Sequence, residues 1–328
     1  MMMYALLVGG FVLLLIGAEY MVRGAVSIAE NLGVSKLVIG LTVVALGTSA
    51  PEVVVSLQAS LDGFPNLAVG NVVGSNIANV LLILGAAALI MPIRAEEGAT
   101  HRDGLIMLAV SFLVAGLMLT GMIDRLFGIG LLVLFVAYVG GTFWLEQRGK
   151  DSAGDLAENE ADEVEAIEGP AWKAWVAFAL GLAGILIGSD MLVTGGTDIA
   201  RAFGVSEEVI GLTLIAFGTS LPELAASVVA AFRGHADVAL GNVVGSNLFN
   251  LLLVIGVAAT AVPLPVPAQI AGFDIWVMLG ASLILAPFIL GKGRALGKLV
   301  GICFLAIYGI YIYSQAIGVD TFLAMLGG

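Results

Sequence analysis

The chain has 328 residues, of which 60% are hydrophobic and 12% are charged, and its mean hydropathy is +1.07. Soluble domains are about 45–50% apolar and about 25% charged, so this composition excludes an ordinary soluble protein and indicates an all-α polytopic membrane protein. The formal net charge is −12, but nine of the 25 acidic residues fall between residues 146 and 168. No basic patch suggests nucleic acid, no obligate protein partner is evident, and a single cysteine excludes an internal disulfide.

Ten apolar segments of spanning length follow one another along the chain, and each predicts a transmembrane helix. They lie near residues 3–24, 36–61, 67–91, 104–120, 126–145, 172–194, 207–232, 238–262, 273–290 and 296–316. The first has no leading positive charge and no small-residue cleavage site, so we interpret it as a helix and not as a signal peptide. The polar interval 146–171 is typical of a solvated, disordered linker, and a regulatory cation-binding loop is the alternative.

The basic residues predict how these helices are oriented. With the N-terminus outside, eleven of the 13 lysines and arginines lie at cytoplasmic ends, and only Arg125 and Arg201 lie outside. Cytoplasmic loops carry an excess of Lys and Arg. We therefore expect a multi-pass protein of the cell membrane, embedded in the lipid bilayer, with its N-terminus outside and the acidic loop 146–171 in the cytoplasm.

The chain contains an internal repeat. Residues 16–85 align without a gap with residues 187–256, and 35 of the 70 positions are identical. Each half, 1–145 and 172–328, holds five predicted helices. Because five is odd, the halves must insert with opposite orientation. Ten helices in two inverted five-helix repeats are typical of secondary transporters, whose site lies near the midplane between the halves.

The charges of equivalent loops agree with this inversion. Lys36, expected inside, matches Glu207, expected outside. Asp62, expected outside, matches Arg233, expected inside.

Helices 2 and 7 are predicted to be broken. Residues 47–52 read GTSAPE and residues 218–223 read GTSLPE, each within an otherwise apolar run. Proline lacks a backbone donor and clashes with the preceding turn, so helix 2 should break near residues 47–49. The break should free carbonyls at about Ala45 and Thr48, which a membrane tolerates only where protein or a bound ion satisfies them.

Polar side chains follow each break at helical spacing. Ser49, Glu52 and Ser56 share one face of the second half-helix. In the next helix, Asn71, Ser75 and Asn79 form an oxygen-bearing stripe, and two glycines (Gly70 and Gly74) are spaced for close helix approach. The second half repeats the design with Ser220, Glu223, Ser227, Asn242, Ser246, Asn250, Gly241 and Gly245.

This set of residues predicts a cation site. A carboxylate within a membrane, beside a helix break and present in both halves, is interpreted as functional. The oxygen donors include no His or Cys, and hard cations such as Ca²⁺ and Na⁺ prefer such ligands. Glu52 and Glu223 together neutralise one divalent ion or share two or three monovalent ions, and competition between these loads would give exchange. For Asn71 and Asn242, simple bridging between helices is the alternative.

Other ionisable residues in the apolar segments have weaker assignments. Glu19 and Asp190 are repeat equivalents, for which a structural role and a gating role are both open. Glu19 can pair with Arg23 at a spacing of four. His101 and His235 are expected on the surface, in loops.

The paired motifs GTSAPE with GNVVGSNIAN, and GTSLPE with GNVVGSNLFN, resemble the α-repeats of the cation/Ca²⁺ exchanger superfamily, most closely its prokaryotic sodium/calcium exchangers. The resemblance covers the whole chain, with α-repeat motifs at 38–85 and 209–256. It implies a transporter and not an enzyme, with a core of helices 2, 3, 7 and 8 against which helices 1 and 6 slide. It implies no cofactor beyond the transported Ca²⁺ and Na⁺.

The same resemblance implies a ligand set. Glu52 and Glu223 would be the central carboxylates that Ca²⁺ and Na⁺ share. Serine hydroxyls, carbonyls or their neighbours, and two amides would complete the site: Ser49, Ser220, Ser75, Ser246, Ala45, Thr48, Ala216, Thr219, Asn79 and Asn250.

Two positions bear on the coupling ion. Some relatives, notably K⁺-dependent exchangers and some prokaryotic members, carry Asp where this chain has Asn250, which weakens the case for K⁺ dependence. The H⁺-coupled branch typically carries an acid where Gly74 and Gly245 stand, which favours Na⁺. We therefore expect a Na⁺/Ca²⁺ antiporter; a Ca²⁺/H⁺ antiporter is the alternative. A cation channel is a further alternative, and an intramembrane hydrolase is disfavoured because no HExxH or GxSxG motif occurs.

Overall fold

A computed structural model of the chain describes residues 2–34, 36–94, 99–149, 167, 169–203, 216–291 and 294–327. Its long elements are all helices. The first half forms α1 (Met2–Leu32), α2 (Lys36–Ile39, Gly40–Val44 and Ala45–Thr48), α3 (Ala50–Leu61), α4 (Pro65–Ala78, Asn79–Ile83 and Leu84–Ile90), β1 (Ile93–Arg94), α5 (Ala99–Met118), β2 (Met122–Ile123) and α6 (Arg125–Gly149).

The second half begins after the loop. It forms α7 (Trp172–Ala202), α8 (Ala216–Thr219), α9 (Leu221–Phe232), α10 (Ala236–Phe249, Asn250–Val254 and Ile255–Ala261), β3 (Leu264–Pro265), α11 (Ile270–Asp274 and Ile275–Leu290), β4 (Ala295–Leu296), α12 (Lys298–Ile317) and α13 (Val319–Gly327). The middle stretches of α2, α4 and α10, and the first stretch of α11, are π-helical.

The structure confirms an all-helical protein with several helices of membrane-spanning length. Eight helices within the described ranges are long and apolar enough to cross a membrane, and α2 with α3, bent by 46°, makes up to nine. The bend lies where it was predicted, because Pro51 is at the second position of α3 and Ser49 has a non-helical backbone. The predicted seventh segment is seen only as α8 and α9, since residues 204–215 lie outside the described ranges.

Several predicted boundaries were wrong. α1 continues to Leu32 and α7 to Ala202, well beyond the apolar runs that predicted them. α6 continues to Gly149, so the first residues of the predicted loop 146–171 are helical. Most of that loop lies outside the described residues, but the backbone N–H of Ile167 donates to Ser27 Oγ at 2.9 Å. The sequence did not predict α13.

α1 and α7 pack against each other through glycines that are spaced seven residues apart on each helix. They are Gly10, Gly17 and Gly24 on α1, and Gly181, Gly188 and Gly195 on α7. A Cβ on Gly17 would lie 2.6 Å from the backbone nitrogen of Ile185 and 2.7 Å from the carbonyl oxygen of Gly181. Only a hydrogen atom fits between these backbones. α1 and α7 therefore pack as a tight pair.

The two halves are interleaved around a buried centre. The deepest spanning helices are α4 and α10, and α2, α3 and α9 pack around them. Each short strand of the first half pairs antiparallel with one of the second, Ile93 opposite Leu296 and Ile123 opposite Leu264. The polar residues of both predicted motifs thus share one interior.

The α1–α7 contact yields the first prediction. Gly17→Ala should lower stability by about 1–3 kcal/mol, because overpacking costs more than the helix propensity of alanine returns. Gly116→Ala is the matched control, since no atom of the described residues lies within 4 Å of the position of a Cβ there. Thermal unfolding of the purified protein in detergent measures both. If Gly17→Ala is as stable as Gly116→Ala, the close contact is wrong.

Candidate functional site

The two predicted glutamates occupy equivalent places. Glu52 is the third residue of α3 and Glu223 is the third residue of α9, and each side chain is 1% exposed. In the first turn of a helix the backbone N–H groups and the helix dipole favour negative charge. Pro51 and Pro222, at the second position, lack an N–H that would be unpaired there in any case. Each helix break thus places a carboxylate where the backbone stabilises it.

The carboxylates meet across the halves. Ser49 Oγ, from the first half, donates a hydrogen bond to Oε1 of Glu223 at 3.2 Å. Ser49 precedes Glu52 by one helical turn, so this hydrogen bond links the two glutamate-bearing motifs. The remaining predicted serines, Ser220, Ser75 and Ser246, are all buried. The structure therefore joins Ser49 of the first half to Glu223 of the second and buries the other predicted serines.

The predicted amides Asn79 and Asn250 begin the π-helical stretches of α4 and α10. Single π turns within α-helices often mark functional sites. Asn79 Nδ2 donates a hydrogen bond to Oδ1 of Asn247 at 3.0 Å. This bond uses the amide nitrogen of Asn79 and leaves its Oδ1 available to another partner. Asn247 was not among the predicted ligands, although its position in the repeated GSN triplet was a usable signal.

Five buried oxygens of this set accept no hydrogen bond from the described residues. They are Glu52 Oε2, Glu223 Oε2, Asn79 Oδ1, Asn250 Oδ1 and Ser246 Oγ. Buried polar atoms are normally hydrogen-bonded, and an unpaired acceptor is costly. A bound cation satisfies several such oxygens at once. Unpaired buried oxygens on several predicted ligands are what a cation site would require.

Asn242 contacts both broken helices, including the backbone of Glu223. Its Oδ1 is 3.2 Å from Thr48 Oγ1 of the other half, and its Nδ2 is 3.0 Å from Ser227 Oγ and 3.4 Å from the Glu223 carbonyl oxygen. Asn242 is completely buried. It therefore bridges α10 to the ends of both broken helices, as the alternative interpretation expected.

Asn71 makes the equivalent bridge with weaker geometry. Its Oδ1 is 3.5 Å from Thr219 Oγ1, and its Nδ2 donates to Ser56 Oγ at 3.1 Å. Asn71 is only partly buried. The two asparagines thus have equivalent partners, but the hydrogen bond of Asn71 to threonine is longer and its side chain is less buried.

The expectation about freed carbonyls was partly wrong. The Ala45 carbonyl accepts the backbone N–H of Ser49 at 2.9 Å, because α2 keeps its hydrogen bonds as far as Ser49 and bends only there. Ala45 and Thr48 are both buried beside the site. Ala216 is the first residue of α8 and Thr219 is the last.

The expected close approach of helices holds at Gly245. A Cβ there would lie 2.5 Å from the carbonyl oxygen of Leu41. Around Gly74 no atom of the described residues lies within 4 Å of that position, but the repeat equivalent of Leu41 is residue 212, outside the described ranges.

The secondary acidic candidates are Glu19 and Asp190. Glu19 makes the predicted ion pair with Arg23 at 2.7 Å, and also pairs with Arg233 of the other half, which the sequence did not predict. Asp190 is exposed on α7.

The expectation for the histidines was wrong. His101 lies within α5, and His235 is buried where α10 begins.

The donor set determines which ions fit. No cluster of three or more His, Cys, Asp or Glu side chains occurs within the described ranges. The site instead combines two carboxylates with neutral hydroxyl and amide oxygens, which suits hard cations.

Comparison with known proteins agrees with this chemistry. A family model for sodium/calcium exchanger proteins matches residues 2–144 and 173–317. The sodium/calcium exchanger MaX1 of Methanosarcina acetivorans is 35% identical, over 94% of this chain and 97% of its own. The putative antiporter CaxA of Alkalimonas amylolytica is 42% identical, over 93% and 95%.

A solved structure of the sodium-calcium exchanger NCX_Mj superimposes with a TM-score of 0.83 at 34% identity, over 96% of this chain and 99% of that one. That protein therefore shares the arrangement of helices. The chain belongs to the sodium/calcium exchanger family, a family of transporters and not of enzymes.

Proposed function

We propose that the chain is a secondary antiporter that exchanges Na⁺ for Ca²⁺ across the cell membrane, with both ions bound between Glu52 and Glu223. The observation that carries the proposal is the group of five buried oxygens without a hydrogen-bond partner within the described residues. Two of the five belong to the glutamates, and the other three are neutral.

Charge explains the exchange. Two carboxylates neutralise one Ca²⁺ and can be shared by two or three Na⁺ ions, so the two loads compete for one set of oxygens. Ca²⁺ takes six to eight oxygen ligands. Besides the five unpaired oxygens, Ser49, Ser220 and Ser75 supply hydroxyls. Ala45, Thr48, Ala216 and Thr219 supply carbonyls or flank them, although the Ala45 carbonyl also accepts hydrogen bonds from Ser49 N and, at 3.4 Å, from Thr48 Oγ1.

We further propose that the chain spans the bilayer ten times, as two inverted repeats of five helices each. Support comes from the 171-residue repeat and from the π-helical stretches, which begin at equivalent residues, Asn79 and Asn250. The strands support it too, because β1 pairs with β4 and β2 with β3, each across the halves. Alternating access in such folds is a movement of one bundle against another around a fixed site.

The charge distribution supports one orientation in the membrane. The N-terminus would be outside and residues 146–171 in the cytoplasm, since eleven basic residues then lie inside and two outside. An inward Na⁺ gradient would then expel Ca²⁺.

The coupling ion gives the second prediction. In proteoliposomes, an imposed Na⁺ gradient should drive ⁴⁵Ca²⁺ accumulation, and a pH gradient of equal size should not. Gly74 and Gly245 offer no titratable group beside the glutamates, which favours Na⁺ over H⁺. Uptake that follows the pH gradient and ignores Na⁺ would mean Ca²⁺/H⁺ antiport. Absence of stimulation by trans Ca²⁺ would mean a channel.

The carboxylates give the third prediction. Glu52→Gln and Glu223→Gln should each abolish Na⁺-driven Ca²⁺ uptake, because one remaining carboxylate cannot neutralise a divalent ion. Glu30→Gln, on the exposed end of α1, is the matched control and should transport normally. Size-exclusion profiles should show that all three variants remain folded. Near-normal transport by either site variant would overturn the assignment.

The asparagine bridges give the fourth prediction. Asn242→Ala should weaken the apparent affinity for Ca²⁺ about tenfold, because it leaves buried partners unpaired at a cost of about 1–3 kcal/mol. Asn71→Ala should have a smaller effect, since Asn71 is less buried and its contact with Thr219 is long. Initial rates of uptake over a range of Ca²⁺ concentrations measure both. Equal effects would contradict the role of burial.

A further inference from the structure

An ion-pair cluster joins the two halves away from the cation site. Glu19 on α1 lies between two arginines: Arg23, one turn later on the same helix, and Arg233, which directly follows α9. The Arg233 guanidinium contacts both carboxylate oxygens, with Nε 2.7 Å from Oε2 and Nη2 2.5 Å from Oε1. Such two-point contacts are the strongest geometry of an arginine–carboxylate pair.

The cluster ties a peripheral helix pair to a site helix. α1 is packed against α7 through the glycines of both helices. Arg233 ends α9, the helix whose first turn carries Glu223. Any movement of the α1–α7 pair along α9 must therefore break or re-form this contact.

The residue types at the repeat-equivalent positions cannot form the same ion pair. The counterparts of Glu19, Arg23 and Arg233 are Asp190, Thr194 and Asp62. Asp190 and Asp62 are both exposed, and Asp62 accepts a hydrogen bond from Gln58 at 2.8 Å. Two acids cannot form an ion pair. The Glu19–Arg233 pair therefore has no counterpart at the equivalent positions of the other half.

We propose that the Glu19–Arg233 pair, supported by Arg23, is a latch that holds the Arg233 side of the transporter closed. In an inverted-repeat transporter, exchanging the conformations of the halves converts one access state into the other. Identical halves would give two states of equal energy, and only differences between the halves bias them. The latch stabilises the state closed on the Arg233 side, which is the cytoplasmic side in the proposed orientation.

The solvent exposure of Glu19 and Arg233 determines how strongly their ion pair favours one access state over the other. The side chain of Glu19 is 22% exposed and that of Arg233 is 45% exposed, so solvent screens the pair. Partly exposed ion pairs have modest effects, and we expect the ratio of the two states to change about threefold when the pair is broken. The latch sets a preference between states and does not prevent transport.

Matched cysteines can report both sides. Cys303, the single native cysteine, is first replaced by serine. One cysteine is then introduced at Ala231, near Arg233, or at its repeat counterpart Ser60, near Asp62; these positions are 3% and 2% exposed. The rate of modification by a water-soluble maleimide measures how open each side is in the purified, full-length protein.

The decisive variant is Glu19→Gln, because it lies on a different helix from both reporters. Modification at position 231 should become about threefold faster, and modification at position 60 should become slower. General destabilisation would accelerate both. Unchanged rates, or changes in the same direction at both positions, would overturn the latch.

A gain-of-contact variant tests the same idea independently. Asp62→Arg places a guanidinium opposite Asp190 and creates a latch on the other side. It should also accelerate modification at 231 and slow it at 60, although it adds a pair and breaks none. Glu19→Asp, which keeps the charge, should stay closer to the parent.

The latch rests on the proposed alternating access, and the flux assay separates the two. If Na⁺-driven Ca²⁺ exchange is present but neither variant shifts the two rates in opposite directions, the latch alone is wrong. If Ca²⁺ exchange is absent from the unmodified protein, the proposed function is wrong as well.

Discussion

The main physical constraint on this structure is the burial of two carboxylates, one from each half, inside an apolar protein. Glu52 and Glu223 are each 1% exposed, and moving an unpaired carboxylate out of water costs several kcal/mol. Helix first turns and the Ser49 hydroxyl offset part of that cost. In the proposed function, a bound cation offsets the rest. The broken helices and the π turns at Asn79 and Asn250 can be understood as the means by which the chain assembles oxygens around that ion.

The sequences of the two halves are most alike in the motifs around the glutamates and differ at the ends of the helices that carry them. The motifs that contain Glu52 and Glu223 are nearly identical, and their hydrogen bonds cross from one half to the other. Away from the centre, Arg233 stands where the other half has Asp62. Such a division suits a transporter, because the bound ion must be held in both access states while the balance between these states can be tuned separately.

Local sequence patterns correctly predicted the features that depend on neighbouring residues alone, such as the break between α2 and α3. Pro51 cannot donate the backbone hydrogen bond that would continue the preceding helix, so Glu52 falls in the first turn of a new one. Partners that depend on how the halves meet were not predicted: Asn247 beside Asn79, and Arg233 beside Glu19. Glycines at a spacing of seven on α1 and α7 were a readable signal of close packing that composition alone hides. Helix ends such as Leu32 were underestimated because polar helical turns extend beyond the apolar run.

The most direct test of the account is equilibrium binding of ⁴⁵Ca²⁺ to the purified protein. The account predicts saturable binding that Na⁺ displaces and that disappears in the Glu52→Gln, Glu223→Gln double variant while the protein remains folded. Ca²⁺ binding that survives in the folded double variant would contradict it, because the carboxylate pair would then not be the ion site.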